Sequence, residues 1–281
     1  MRLARFVVDG GESAGLVDGD FVSDLGLSGA SVMQLLSPGM WKDLAKMPVL
    51  RRIPLAGLTL LAPVPTPRKF LAIGLNYPSH RVEAAKAGLT AGRAQIWFNK
   101  QVTCINGPRS PIVIPRVSTQ VDYEGELGVV MGAAGRYVEE ADALSLVAGY
   151  VVINDVSVRD WQIASPTMTL GKSFDTHGPI GPWLVSPDEV GDPQDLTLEV
   201  RVNGEVRQRT STASMVNTCR QQIAHLSKVF TLEAGDILAT GTPEGVGAFM
   251  DPPRYLAAGD VVTVSISKLG TIENRVVAEA S

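Results

Sequence analysis

Carboxylates at every second position form the first candidate site in the chain. Residues 121–127 read VDYEGEL, and in a β-strand their side chains would alternate between two faces. Asp122, Glu124 and Glu126 would then share one face, where mutual repulsion favours a bound cation. An acidic, solvent-facing strand edge is the alternative. The apolar run 127–131 favours the cation site because it indicates a strand that enters the core.

A further carboxylate, Asp155, follows a second apolar strand. Residues 148–154 are mostly apolar, and the ends of strands are where ligand groups gather on a rigid scaffold. Capping of a following helix is the alternative role for Asp155. An all-oxygen ligand set favours a hard cation, Mg²⁺, Mn²⁺ or Ca²⁺, over zinc. Three carboxylates would leave coordination positions for water and a chelating substrate.

His80 and Glu83 are a candidate acid–base pair. They lie three residues apart in SHRVEAA, so they would share one face of a helix. A carboxylate beside an imidazole fixes its tautomer and raises its basicity, which suits a general base. The alternative is an ordinary surface helix with two polar side chains.

The elements that must position these groups begin with a small N-terminal region. Residues 1–23 read as short strands broken by Asp-Gly and Gly-Gly turns, and short helices are predicted at 31–36 and 41–46. The segment 61–67 reads LAPVPTP, and its three prolines indicate a boundary. We therefore expect a small N-terminal domain with its linker at 1–67 and a main domain at 68–281.

The main domain reads mostly as strands, which predicts a β-rich α+β fold. Strands are expected at 69–74, 121–132 and 148–154, a hairpin at 196–208 around Asn203-Gly204, and a second hairpin formed by 260–268 and 271–278. Helices are expected at 79–87 and 216–230. The second helix would present an apolar face made of Val216, Ile223, Leu226, Val229 and Phe230.

Composition narrows the class of protein. A formal net charge of −4 and 45% hydrophobic residues describe a mildly acidic globular chain, which argues against nucleic acid or an anionic membrane as the main partner. Neither a signal-peptide core nor the roughly 20 apolar residues of a membrane span is present, so we expect a cytoplasmic protein. Cys104 and Cys219 lack a CxxC neighbour, and we expect both to be buried, reduced thiols.

Six segments, from about residue 68 to the C-terminus, resemble the fumarylacetoacetate hydrolase family and follow its order. They are FLAIGLNYPSHRVE at 70–83, VDYEGELGVVMG at 121–132, NDVSVRDWQ at 154–162, GKSFDTHGPIGPWLV at 171–185, VNGEVRQ at 202–208 and LEAGDILATGTPEGVG at 232–247. The likeness is to the acylpyruvase and 2-hydroxyhepta-2,4-diene-1,7-dioate isomerase-like branch, whose N-terminal region varies. It implies the family's C-terminal mixed β-roll or sandwich with a small N-terminal domain.

The resemblance assigns the central roles. It implies that Glu124, Glu126 and Asp155 hold the divalent metal, Mg²⁺ or Mn²⁺, while Asp122 supports the site without binding the metal. His80 and Glu83 would lie on a mobile segment that orders over the substrate and activates water.

The resemblance also assigns cations and pocket residues. Lys172, which could otherwise be a lysine on a solvated turn, would lie near the substrate's oxygen atoms and stabilise a developing enolate. Substrate-binding roles are implied for Arg159, Gln162, Thr242 and Lys100, and Lys100 could also pair with a metal-ligating carboxylate. Asp175 and His177 are expected to be structural.

The resemblance implies a divalent-metal-dependent hydrolase that cleaves a carbon–carbon bond of a small 1,3-dicarbonyl acid of the acylpyruvate type. Alternatives are an oxaloacetate-type decarboxylase and an oxo-dienedioate isomerase of aromatic catabolism, since fold and metal site do not choose between them. A catalytically silent metal- or acid-binding protein is the non-enzyme alternative, and the presence of His80, Glu83 and Lys172 argues against it. A small-molecule substrate and a homodimer are expected.

Overall fold

The fold is taken from a computed structural model of the 281-residue chain, which describes residues 1–86, 88, 92 and 94–280. Its strands are β1 Arg2–Val8, β2 Gly11–Asp18, β3 Phe21–Asp24, β4 Arg51–Pro54, β5 Thr59–Leu61, β6 Phe70–Gly74, β7 Ile96–Lys100, β8 Ile105–Asn106, β9 Ile112–Ile114, β10 Val121–Asp122, β11 Gly125–Met131, β12 Val147–Asn154, β13 Ser157–Val158, β14 Gly178–Val185, β15 Thr197–Val202, β16 Glu205–Ser211, β17 Ile237–Ala239, β18 Val261–Ile266 and β19 Gly270–Ala278. Its α-helices are α1 Gly29–Leu35, α2 Met40–Leu44, α3 Pro78–Lys86, α4 Arg159–Ile163, α5 Pro187–Val190 and α6 Cys219–Ser227. Short 3₁₀ helices cover Val102–Cys104, Ala143–Leu146, Leu170–Lys172, Thr212–Ser214 and Gly247–Phe249.

One large sheet carries most of the fold. Its strand order is β4-β3-β2-β1-β14-β12-β11-β17-β6-β7, with β5 paired to β1 and β8 paired to β14. The central pair, β11 and β12, is antiparallel and wholly buried, which explains why their sequences are apolar without alternation apart from Glu126 and Asn154 at the shared end. The last residues of β12 therefore face the first residues of β11.

A second sheet packs against the first. Its order is β16-β15-β18-β19-β9, and it contains both predicted hairpins. At the tip of the first hairpin, Asn203 and Gly204 both have positive φ, as a two-residue turn between twisted strands requires. Apolar side chains of both sheets meet in one core cluster, for example Leu127 of β11, Leu198 of β15 and Ile272 of β19. The predicted strand-rich α+β fold is confirmed.

The N-terminal strands join the large sheet directly. β1 pairs with β14 through Arg2 opposite Val185 and Leu3 opposite Leu184. The domain boundary at residue 67 stays a prediction, but the region before it shares a continuous hydrogen-bonded sheet with the region after it. Among the described residues, no helix is both long and apolar enough to cross a membrane.

Two predicted elements differ from the structure. The strand 121–132 is broken at Tyr123 and Glu124, because the backbone of Glu124 bonds instead to Asn154 and Asp155. The helix predicted at 216–230 begins only at Cys219, where Thr218 and Gln221 form a capping box, and ends at Ser227.

These shorter bounds change which side chains are buried. Val216 and Val229 lie outside α6 and are 39% and 65% exposed, so the predicted apolar face was too long, whereas Ile223 and Leu226 are buried. The helix predicted at 79–87 is α3, although its last predicted residue, Ala87, lies outside the described residues. Cys104 and Cys219 are buried free thiols, as predicted.

Candidate active site

The pairing of β11 with β12 brings three acidic side chains together. Gly125 stands opposite Asn154, so Glu124 and Glu126 flank the point where Asp155 leaves β12. Oxygens of these three carboxylates lie within 4.8 Å of one another, and all three residues are buried. The amide of Asp155 donates to the Glu124 carbonyl at 2.8 Å, which fixes the two chain segments side by side. The structure thus forms the predicted group of three.

Two buried lysines compensate part of this negative charge. The Lys172 ammonium lies 2.7 Å from a carboxylate oxygen of Glu124 and 2.7 Å from one of Asp155. Lys100 lies behind, 2.6 Å from the other oxygen of Asp155, with its side chain wholly buried. The predicted pairing of Lys100 with a site carboxylate is therefore present in the structure.

Asp122 faces a different set of partners. It accepts hydrogen bonds from the amides of Gly247 and Ala248 at 2.8 and 2.9 Å, and from Arg159 at 2.8 Å. It is not among the described carboxylates that converge within 4.8 Å, because the break after β10 turns it away from the face of Glu126. Arg159 also lies 2.7 Å from Glu124, so Asp122 holds the guanidinium that steadies this carboxylate.

The three carboxylates have unequal surroundings. Although burial opposes its charge, Lys172 and Arg159 lower the pKa of Glu124 to about 2. Burial and the charges of Asp155 and Glu124 raise the pKa of Glu126 well above its ordinary value. Glu126 accepts from the Gly241 amide at 2.7 Å, and no side-chain cation within the described residues pairs with it. Four buried carboxylates, counting Asp122, face three buried cations, so an oxygen-preferring divalent cation fits this donor set.

His80 and Glu83 form a hydrogen-bonded dyad on α3. The Nδ1 atom of His80 is 2.9 Å from one carboxylate oxygen of Glu83, and the other oxygen accepts from the Gly245 amide at 3.0 Å. The Tyr123 hydroxyl donates to the Gly245 carbonyl at 2.9 Å. The dyad is thereby tied to the loop after β17 and, through Tyr123, to the segment that carries Glu124.

His80 of the dyad and two of the carboxylates, Glu124 and Glu126, line one cavity of about 520 Å³. Seven predicted site residues line it, namely His80, Glu124, Glu126, Arg159, Gln162, Lys172 and Thr242. Glu83, Asp155 and Lys100 are not among the described lining residues and lie behind those that are. The position of Lys100 suits holding Asp155 better than direct contact with substrate. Predicted as structural, His177 is buried and bonds through Nε2 to the Val113 carbonyl at 2.8 Å.

Sequence reasoning missed Gln208, a buried glutamine of β16. Its side-chain oxygen accepts from the Gly125 amide at 2.9 Å, and its NH₂ donates to the Thr242 hydroxyl and the Pro243 carbonyl, both at 2.9 Å. Gly125 lies between Glu124 and Glu126, the two glutamates of the buried carboxylate group. Gln208 therefore fixes their backbone against the loop that bonds both Glu126 and Glu83.

The burial of Gln208 could not be predicted from the sequence because it depends on a β-bulge. A regular two-residue hairpin would place Val200 opposite Arg207, but the register shifts between Val200 and Arg201. Val200 is a core residue, and the shift sets Gln208 opposite it. No local feature of VNGEVRQ predicts that shift.

Comparison with known proteins adds independent findings. The sequence model described as fumarylacetoacetate (FAA) hydrolase C-terminal matches residues 69–277. A Sphingomonas protein named 2,4-didehydro-3-deoxy-L-rhamnonate hydrolase is 42% identical over 280 residues, covering 98% of this chain and 96% of its own length. The mitochondrial oxaloacetate tautomerase fahd2 of Xenopus laevis is 45% identical over 224 residues, covering 79% of this chain and 69% of its own.

A solved structure agrees in fold over the whole chain. Maleylpyruvate hydrolase from Sphingobium sp. SYK-6, in complex with manganese(II) and pyruvate, superposes with a TM-score of 0.83 at 33% identity. The match covers 100% of both chains.

Proposed function

This chain is a member of the fumarylacetoacetate hydrolase family, and we propose that it is a divalent-metal-dependent hydrolase of small 2,4-dioxo acids of the acylpyruvate type. One observation carries the proposal. Glu124 and Glu126 of the buried group formed with Asp155 line the same cavity as His80, whose imidazole is hydrogen-bonded to Glu83. A cation site beside an oriented base is the arrangement that water attack on a chelated carbonyl requires.

The metal ligands would be Glu124, Glu126 and Asp155, and the ion Mg²⁺ or Mn²⁺. The manganese of the maleylpyruvate hydrolase structure supports a metal of this kind. When bound, the metal supplies Lewis acidity toward the 2-oxo acid end of the substrate. Lys172 and Arg159, both at 2.7 Å from Glu124, place two positive charges where the carboxylate and the developing enolate oxygen of the substrate would lie.

The dyad would activate water. The Glu83 carboxylate would accept a hydrogen bond from Nδ1–H of His80, so that the imidazole keeps this proton and Nε2 has its lone pair free for water. Nε2 takes a proton from water, and the hydroxide attacks the carbonyl at carbon 4. The bond between carbons 3 and 4 then breaks, its electron pair goes to carbon 3 as the pyruvate enolate, and a proton returns there. One water is consumed, and a carboxylic acid and pyruvate are the products.

Loss of the ultraviolet absorbance of an enolised acylpyruvate tests the proposal. Activity should vanish after treatment with EDTA and return with Mg²⁺ or Mn²⁺. Glu126→Ala should lose both metal and activity, whereas Glu139→Ala, which removes an exposed carboxylate, should keep both. Metal-independent cleavage by the wild type would contradict the proposal.

Tautomerisation is a second candidate, favoured by the 45% identity to the Xenopus laevis oxaloacetate tautomerase. The same dyad could move a proton between carbon 3 and the medium without any attack by water. Product analysis by NMR separates the two reactions. Hydrolysis yields two acids, whereas tautomerisation of oxaloacetate in D₂O only exchanges the carbon 3 protons faster than the buffer does.

A further inference from the structure

The walls of the cavity differ sharply in chemistry. Among the described residues, the lysine and arginine side chains that line the cavity are Arg159 and Lys172, and both contact Glu124, so their positive charge is concentrated around one carboxylate. Much of the remaining wall is apolar and includes Ile96, Phe98, Ile163, Pro166, Met168 and Phe249, while Gln162, Ser165, Thr242 and Tyr255 add neutral polar groups. Within the described residues, the cavity therefore concentrates its lysine and arginine charge at the β11 end, and its remaining wall is uncharged apart from His80 and largely apolar.

Arg159 and Lys172 already form ion pairs with carboxylates of the protein. Arg159 uses Nε on Asp122 and Nη1 on Glu124 and Gln162, at 2.7 to 2.8 Å. Lys172 lies between Glu124 and Asp155. Within the described residues, no further lysine or arginine lines the cavity. A second substrate carboxylate that reached the apolar walls would lose water without gaining a partner there.

The orientation of the substrate follows from the proposed function. Its 2-oxo acid end would lie at the carboxylate group, and its carbon 4 carbonyl beside His80. The ring of Phe249 lies 5.8 Å from that of His80, so the group attached to carbon 4 meets an apolar surface. Ile163 also lines the cavity and is 74% exposed, so it presents an apolar side chain at the cavity mouth.

We propose that the substrate carries an apolar acyl chain on carbon 4 rather than a second carboxylate. This inference rests on the proposed function for the placement of the 2-oxo acid end. It separates the protein from an enzyme of oxo diacids, because the apolar walls recognise hydrocarbon and penalise charge. The open mouth at Ile163 accepts chains longer than acetyl.

A matched substrate pair tests the inference. Butanoylpyruvate and succinylpyruvate have equal chain lengths and differ only in a terminal methyl or carboxylate. Wild-type kcat/KM should be at least about tenfold higher for butanoylpyruvate, and it should rise roughly fourfold per methylene from acetylpyruvate to butanoylpyruvate. Equal or faster cleavage of succinylpyruvate would overturn the inference while leaving the proposed hydrolase function intact.

A charge placed in the wall gives the reciprocal test. Ile163→Lys should raise the ratio of succinylpyruvate to butanoylpyruvate activity about tenfold. Val229→Lys is the control, since Val229 is comparably exposed at 65% and does not line the cavity. An unchanged ratio in Ile163→Lys, with activity retained, would show that the acyl chain does not lie on this wall.

Binding separates failure of the inference from failure of the proposed function. If no acylpyruvate is cleaved, calorimetry of the Mg²⁺-loaded protein compares 2-oxohexanoate with 2-oxohexanedioate. Tighter binding of 2-oxohexanoate would support the apolar wall although the reaction is different. Tighter binding of 2-oxohexanedioate would refute it.

Discussion

Replacing Glu83 with glutamine should disable the proposed base without removing it. The Glu83 carboxylate faces two donors, the Gly245 amide at 3.0 Å and Nδ1 of His80 at 2.9 Å. A glutamine has only one acceptor oxygen, and Gly245 is held in place by the bond from the Tyr123 hydroxyl to its carbonyl. With that oxygen on Gly245, the glutamine NH₂ would face Nδ1 and force the imidazole proton onto Nε2. The atom that must accept a proton from water would then carry one.

The expected decrease in kcat/KM of Glu83→Gln equals the contribution of a general base. A positioned base contributes about a hundred- to ten-thousand-fold, equivalent to roughly 3 to 5 kcal/mol in activation free energy. We therefore expect Glu83→Gln to lower kcat/KM for acylpyruvate cleavage by at least about a hundredfold. Because both residues act through one proton transfer, the double variant with His80→Ala should be no slower than His80→Ala alone.

Steady-state kinetics with saturating Mn²⁺, together with Mn²⁺ affinity from calorimetry, measure this effect. Mn²⁺ affinity should stay within about threefold of wild type, since α3 supplies no metal ligand. Glu244→Gln is the matched control, because it removes a neighbouring exposed carboxylate that does not contact His80. Wild-type kcat/KM in Glu83→Gln, or losses that multiply in the double variant, would refute the proposed dyad.

The remaining predictions concern the metal, its support, pH and assembly. His80→Ala should lose hydrolysis yet still bind Mn²⁺ and oxalate in calorimetry, and loss of that binding would contradict the separation of base from metal site. Gln208→Leu should weaken Mn²⁺ binding about 10- to 100-fold. Gln222→Leu, at another buried glutamine, should bind Mn²⁺ as tightly as wild type. If Gln208→Leu and Gln222→Leu bind Mn²⁺ equally well, Gln208 does not support the metal site. Burial lowers the pKa of His177 to about 4, below its unfolded value near 6.5. The free energy of unfolding should therefore fall as the pH drops from 6.5 to about 4, by about 3 kcal/mol in all, because the unfolded chain binds the proton more readily. His177→Gln, which keeps a donor for Val113, should remove that part of the pH dependence in urea unfolding, and an unchanged slope would show that other groups cause it. Light scattering should give a homodimer, and a monomeric mass at assay concentration would exclude it.

Local spacing in the sequence was sufficient for several parts of the site. His80 and Glu83 are three residues apart on α3, so helix geometry alone sets that pair, and Glu124 and Glu126 stand on either side of Gly125, the first residue of β11. The Asn203-Gly204 turn likewise predicted its hairpin, because both residues tolerate positive φ. In each case the two residues are at most three positions apart in the sequence, so local backbone geometry relates them.

Contacts between distant segments were decided only by the tertiary structure. The predicted strand stops after β10, where Asp122 pairs with Arg159, and the 3₁₀ helix Leu170–Lys172 places Lys172 between Glu124 and Asp155. The bulge at Val200 and Arg201 places Gln208 in the core, opposite Val200, where a regular register would have placed Arg207. The physical reason is that strand faces alternate with period two. A one-residue shift set by packing elsewhere therefore exchanges buried and exposed side chains, and no local pattern records it.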